Sequence, residues 1–475
     1  MRIMFDPSSY HIIIALFPRL LGAVYFFAFG AFIFQVKGLL GREGILPIEQ
    51  YLRYYSHLGK KRFYYIPTLF WLDASDKTLY LVVAAGTILS LLLFLGFTPL
   101  LIFPLLYILH LSVVSAGQDF LSFGWEMFTL EITCNTFFLS MTSPPNLFVW
   151  VSINLLLLRF HFQGGASKLL SEDKTWRNLT ALKYHYQTQP LPNAQAWYIY
   201  KLPLWFHKLS TAIMFLIELI VPLGMFGNEE MRFWVFICFA GLQGMIWFTG
   251  NFSYLNYLTL VLSTLLLSDT YLQAIFGSWV KESSPSPPLL DGFVSVVGIV
   301  LIALQLISLW NYFLPQARCK KILAWFQPFH IVNRYGIFAV MTTRRDEIII
   351  EGSDDGIHWQ EYLFRYKPSE ITRRPRRISP YQPRIDWQAW FLPFSDFESE
   401  SWFHNFLLRL LQGSSAVLKL LRHNPFPDKP PKYVRALLYA YEYSDADTKK
   451  KTGAWWKREL LGAYSPTLSL KHAEK

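Results

Sequence analysis

Residues 155–168 read LLLLRFHFQGGASK. The leucines belong in lipid, yet within a few positions the run takes on Arg159, His161 and Lys168 around the pair Gly164-Gly165. An ionisable side chain inside a bilayer is costly unless it faces protein or a watered cavity, so a span ending this way turns its polar groups toward the interior of a bundle. The glycine pair is expected to end the helix and free the backbone, which sets His161 and Lys168 where the bundle opens. A lysine there has the setting of a general base, although lysines near helix ends more often only snorkel.

Working outward, 53% apolar and 18% aromatic residues with only 16% charged exclude an ordinary soluble protein. A membrane helix needs roughly 20 mostly apolar residues, and about nine windows qualify: 11–36, 78–97, 99–115, 121–141, 146–163, 208–226, 231–250, 254–272 and 292–314. The first is too long and too aromatic for a cleavable signal. Two hydrophilic loops, 37–77 and 164–207, fall on one face together with everything after the last span. The expected fold is therefore a polytopic α-helical membrane bundle, residues 1–314, followed by a small antiparallel β-rich domain with C-terminal helices, residues 315–475.

The Pro/Ser-rich stretch 283–292 reads as a flexible break before the last span. Past residue 330 the runs GIFAVMT (336–342), EIIIEGS (347–353) and HWQEYLFRY (358–366) suggest strands, with Asp355-Gly356 as a hairpin turn. Helical patterns return near 402–423 and 432–443. Residues 316–475 carry 26 Lys/Arg against 17 Asp/Glu, so most of the net charge of +11 lies there. Such a basic, aromatic tail suits anionic membrane lipids or an acidic protein surface, and nucleic acid is not among the partners read from it.

Arg19, His110, Glu126, Glu131, Arg159, His161 and Glu218 lie in or at the edge of spans and should pair with one another. Arg159 is expected to take Glu126 or Glu131 from the neighbouring span as a structural ion pair. The two glutamates are about 140° apart around a helix, so both cannot face it equally. Three cysteines, Cys134, Cys238 and Cys319, are too few for a disulfide framework or a Cys-based metal site. Walker A, GxGxxG, HExxH and GxSxG motifs are absent, and no cofactor or metal is expected.

The loop KLLSEDKTWRNLTALKYHYQTQPLPNAQAWYIYKLPLWFHKLS from Lys168 resembles the central loop of the lipase maturation factor family. GLLGREGILPIEQ (38–50), NRYGIFAVMTTRRDEIIIEGSDDGIHWQEYLFRYKP, RRISPYQPRIDWQAWF, PPKYVRALLYAYEYS and GAWWKRELLGAYSPTLSL follow that family's pattern in order. The resemblance implies a membrane-anchored maturation factor or chaperone for secreted lipases or similar clients. It would sit in the endoplasmic reticulum membrane of a eukaryote or the inner membrane of a bacterium. In the matching segments Trp359, Tyr362, Arg384, Asp386, Trp387, Trp390, Trp455 and Trp456 are the expected client-binding residues, since Trp and Arg dominate binding hot spots. The tryptophans have an alternative use as the core of a small domain.

Residues 164–169, GGASKL, also resemble the lysine-bearing segment of the vitamin K-dependent gamma-carboxylase. That likeness implies the alternative, an integral membrane enzyme in which Lys168, beside His161, acts as base on a lipid-soluble quinone or acyl substrate.

The two loops are rich in Lys and Arg, and the positive-inside rule puts their face in the cytoplasm, whereas the family resemblance puts the tail on the lumenal or periplasmic side. The resemblance takes precedence, because long domains translocate largely regardless of charge. A cysteine introduced at Asp354, in the 353–358 turn, is accordingly expected to resist an impermeant thiol reagent applied from the cytoplasmic side and to react once the opposite side is opened.

Overall fold

A computed structural model describes residues 9–277 and 285–470. The first residues of the 283–292 break lie outside that range. Among the described residues, seven helices are long and apolar enough to cross a membrane: His11–Ile33, Asp76–Leu95, Pro99–Ala116, Leu147–Leu170, Leu204–Phe226, Glu229–Thr249 and Pro288–Phe313. The two other expected spans are helical but differ in form. Gly124–Leu139 has only 16 residues, a rise of about 24 Å. Leu255–Leu266 and Asp269–Phe276 are bent by 106° at the break between them.

Helix pairs are drawn close where side chains vanish. A Cβ on Gly22 would lie 2.7 Å from the Phe94 nitrogen, so only glycine lets His11–Ile33 approach Asp76–Leu95 so closely. At one end of the bundle, the Asp269 carboxylate accepts hydrogen bonds from the first backbone amides of His11–Ile33, at 3.1 Å from His11 and 2.8 Å from Ile12. There it satisfies donors that a helix start leaves open. Nearby, Asn146 caps Leu147–Leu170 and donates to Asp291 at 2.8 Å.

The opposite end carries both hydrophilic loops and the tail, packed on one another. Arg409 donates to the Gly44 carbonyl at 2.8 Å, and Gln35 Nε2 to the Gln382 carbonyl at 2.8 Å. Arg345, buried, donates to the carbonyls of Gln187, Gln189 and Pro190 in the second loop. One apolar core runs from membrane residues such as Phe17 and Leu258 into Ile348, Trp402 and Phe406 of the tail.

The tail holds a four-stranded antiparallel sheet of β1 (Arg345–Ser353), β2 (Gln360–Tyr362), β3 (Tyr433–Tyr443) and β4 (Trp456–Ala463), in the order β2-β1-β3-β4. Ile350 pairs with Tyr362 across the hairpin that Asp355-Gly356 turns, Gly356 adopting φ +78°. Two expectations fail. Residues 336–342 form no strand; they run as irregular chain, tied by their backbone to Trp176 and Asp173 of the second loop. The 432–443 segment is not a helix but β3, because alternate residues Tyr439, Tyr441 and Tyr443 fit a pleated surface and β1 and β4 satisfy its backbone on both sides. Helices do occupy Ser401–Leu411 and Ser415–Leu418.

Gly124–Leu139 joins bundle to tail. Glu126 Oε1 lies 2.8 Å from Arg384 Nη2, both fully buried, and Glu126 Oε2 lies 3.1 Å from His110 Nε2 and accepts from the Tyr254 hydroxyl at 2.7 Å. Replacing one member of a buried ion pair strands the other charge, at a cost of about 3–5 kcal/mol. Arg384→Met should therefore lower the thermal midpoint of the detergent-solubilised protein markedly, and Glu126→Gln added to Arg384→Met should recover part of the loss.

Candidate functional site

A cavity of about 720 Å³ lies between Leu147–Leu170, Leu204–Phe226 and Glu229–Thr249, with residues 334–338 and the second loop at one side. The helix carrying the opening sequence does not stop at Gly164-Gly165; it runs to Leu170. The glycines act on the neighbour instead. A Cβ on Gly165 would lie 2.8 Å from Leu219 and 3.0 Å from the Glu218 Cβ, so its absence lets Leu204–Phe226 come close at that level. There the neighbouring helix widens into a π-turn, Leu216–Ile220, a rare form frequent at functional sites.

Glu218 sits in that turn, and Lys168 Nζ donates to both its oxygens, at 3.1 and 2.8 Å, and to the Gly164 carbonyl at 2.9 Å. All three hydrogens of the ammonium are thus engaged, and the nitrogen also lies 5.5 Å from the Trp176 ring. His161 stands on the same helix and lines the same cavity. Its ring stacks on Phe239 at 3.7 Å and its Nδ1 lies 3.1 Å from the Leu157 carbonyl. Its Nε2 has no partner among the described residues. Across the cavity, Asn256 donates to Gln243 at 2.8 Å and leaves its own Oδ1 unpartnered. His185, in the second loop, is pushed down to about 4 by burial and then by the Lys168 charge, so it is neutral at physiological pH.

Sequence reasoning chose Lys168 and His161 but did not join Lys168 to Glu218, which is 50 positions away. The signal available was a lone acid in an apolar span. Gln243, Asn256 and His185 gave no such signal. Among the described residues no group of three or more His, Cys, Asp or Glu could hold a metal ion.

The expected ion pair separates into two. Arg159 Nη1 donates to Glu131 at 2.8 Å, both groups fully buried, and Nη2 to the Asn333 carbonyl at 2.5 Å. Glu131 also accepts from the Tyr335 hydroxyl at 2.6 Å and the Asn333 amide at 2.8 Å. Glu126 faces elsewhere, toward Arg384.

Of the eight expected client-binding residues, Tyr362, Arg384, Asp386, Trp387, Trp390, Trp455 and Trp456 are buried, and only Trp359 reaches the surface. Trp387 packs on Phe123, Trp125 and Phe252 of the bundle, and Trp390 Nε1 donates to the Thr188 carbonyl at 2.8 Å. Trp456 stacks on Tyr443, and Trp455 meets Trp197 of the second loop. A buried ring offers a client nothing in this conformation. Arg384, Trp387, Trp390 and Trp455 instead seat the tail on the bundle and its second loop. Trp359 lies under the Arg435 guanidinium, 3.9 Å from ring centre to carbon.

The lipase maturation factor transmembrane domain matches residues 13–274, and the lipase maturation factor C-terminal domain matches residues 331–466. The chain is 33% identical to human lipase maturation factor 1, over 95% of this chain and 87% of that protein. It is 31% identical to mouse lipase maturation factor 2, over 96% and 83%, and 30% identical to the chicken form, over 96% and 81%. No solved structure matches it.

Asp386 supplies a pH test of the tail. Its Oδ1 accepts from the Tyr366 and Lys367 amides at 2.6 and 2.9 Å, while Oδ2 is unpartnered. Burial pushes the carboxyl up to about 6, against the pull of those amides. An acid raised on folding binds its proton more tightly in the native state, so its contribution to stability is fullest below the unfolded value and falls as pH rises through 6. Asp386→Asn should accordingly leave the thermal midpoint unchanged near pH 3.5 and raise it near pH 7.5, in thermal scans across that range.

Proposed function

The chain belongs to the lipase maturation factor family, and from that premise we propose that it is a membrane-anchored maturation factor assisting the folding and assembly of a secreted, lipase-like client. The observation carrying this reading is that the likeness takes in both the membrane part and the tail, in one continuous alignment over nearly the whole chain. Its setting is the endoplasmic reticulum membrane in a eukaryote or the inner membrane in a bacterium, with the tail on the lumenal or periplasmic side.

Within the tail, the client-facing surface is what the buried tryptophans leave exposed. Ile357 is 76% exposed beside Trp359, and Leu460 on the edge strand β4 is 53% exposed. An edge strand with apolar side chains suits an unfinished client, whose own strands seek partners. The net positive charge of the tail also suits anionic lipid.

The alternative, chemistry at Lys168, has one observation in its favour: Lys168 and His161 line a single cavity. A base needs a free lone pair, however, and Lys168 is engaged on all three hydrogens. The two readings part on one experiment. In cells lacking their own maturation factors, the full chain co-expressed with a secreted lipase should restore active enzyme in the medium. Ile357→Asp with Leu460→Asp should cut that yield several-fold at unchanged expression, while Lys168→Met with Glu218→Gln, which removes both charges together, should preserve it. Loss of rescue in the second variant, with the first intact, would transfer the function to the cavity.

A further inference from the structure

The cavity opens sideways. Ile213 on one helix and Ile237 and Met245 on the next line it and are 46%, 41% and 51% exposed, so the space between these two helices is not sealed. Leu204–Phe226 and Glu229–Thr249 are joined by the Gly227-Asn228 turn, and between them Gly241 faces the opening with nothing within 4 Å of where a Cβ would stand. An apolar chain can therefore enter from the bilayer without first crossing water.

Two polar groups on the lining are acceptors without donors. A carbonyl can only accept, so in the neutral His161 ring Nδ1–H donates to Leu157 and Nε2 keeps its lone pair. His161 is 2% exposed and Asn256 4%, and His161 Nε2 and Asn256 Oδ1 are buried acceptors with no donor. Leaving such groups unmet is costly, and ligand pockets characteristically combine apolar walls with a few such placed polar atoms. Lys168 and Glu218 satisfy each other, so an anionic head would have to break that pair, and Arg334, the third charge on the lining, is exposed and lies against the Tyr312 ring at 4.9 Å. The volume of about 720 Å³ lies in the ordinary range for ligand pockets.

From these features we infer that the cavity binds a membrane lipid with an apolar tail and an uncharged, hydroxyl-bearing head. The hydroxyls donate to His161 Nε2 and Asn256 Oδ1, and the tail leaves between the two helices past Gly241. A monoacylglycerol carries two free hydroxyls and can meet both acceptors, whereas a lipid alcohol carries one and meets a single acceptor.

Photolabelling of the purified full chain tests it. Three alkyne-tagged probes carry the same diazirine chain and end in a glycerol monoester, a simple alcohol or phosphatidylcholine. The two hydroxyl-headed probes should label peptides from residues 204–249 well above phosphatidylcholine. Preference for the glycerol monoester names an acylglycerol as the source, and preference for the alcohol a lipid alcohol. His161→Phe, which keeps the ring against Phe239 but removes the acceptor, should reduce this labelling about three- to tenfold, the worth of one buried hydrogen bond. Gly241→Phe fills the opening from an uncrowded position and should reduce it at an unchanged thermal midpoint; should His161→Phe destabilise the protein, Gly241→Phe decides alone. Equal labelling by phosphatidylcholine, or labelling indifferent to Gly241→Phe, overturns the inference.

Discussion

Two carboxylates on one short helix constrain the whole molecule. Glu126 and Glu131 are both fully buried in Gly124–Leu139, and neither can remain so without cationic partners from outside that helix. Five positions apart, they look in different directions. Glu131 faces Arg159 on the next span and the Asn333-to-Tyr335 segment, while Glu126 faces His110, Tyr254 and Arg384. Each acid therefore draws one part of the post-bundle chain into the membrane part's core. The buried pairs are poor sources of stability beside apolar packing, but they select one docking of tail on bundle, because any other would leave charges unpaired.

The docking explains where the aromatic residues went. Trp and Arg in a basic tail suggest a recognition surface when read along the chain, and the same residues serve a different end once the tail lies on the bundle. Trp387 and Trp390 fill the seam between sheet and helices, and Arg345 satisfies three carbonyls of the second loop. What remains available to a partner is the less conspicuous set around Ile357, Trp359 and Leu460.

How much could be read without coordinates follows from the range of each signal. Apolar runs are local, so the membrane helices were legible, including the two that prove short or bent; their length and the 106° break depend on packing that no window contains. The Asp355-Gly356 hairpin was legible because turn chemistry is local too. β3 was misread as a helix because its leucines and alanines favour helix, and only pairing with β1 and β4 decides otherwise. The glycine pair was misread for a related reason: Gly164-Gly165 suggested a helix end, whereas the space they leave is used by Glu218, far along the chain. Angular reasoning about Glu126 and Glu131 did anticipate that they would diverge, but not that one would reach Arg384.

The chain from Asn333 to Met341 ties the two candidate surfaces together. Its first residues bind Glu131; the Tyr335 amide also donates to Gln163 Oε1 at 3.2 Å, and Arg334 to Phe338 line the cavity. Farther on, the Phe338 carbonyl accepts from Trp176 at 3.1 Å and the Met341 amide donates to Asp173 at 2.6 Å, after which the chain becomes β1. A ligand in the cavity thus touches the same stretch that leads directly into the sheet bearing Trp359. Because packed interiors hold discrete arrangements and do not deform smoothly, occupancy of the cavity bears on how firmly that stretch, and with it the sheet, is held. In this architecture the membrane helices are more than an anchor: Glu131, one of the two buried acids that fix the tail, also holds Tyr335 on the wall of the cavity in which a lipid could be read.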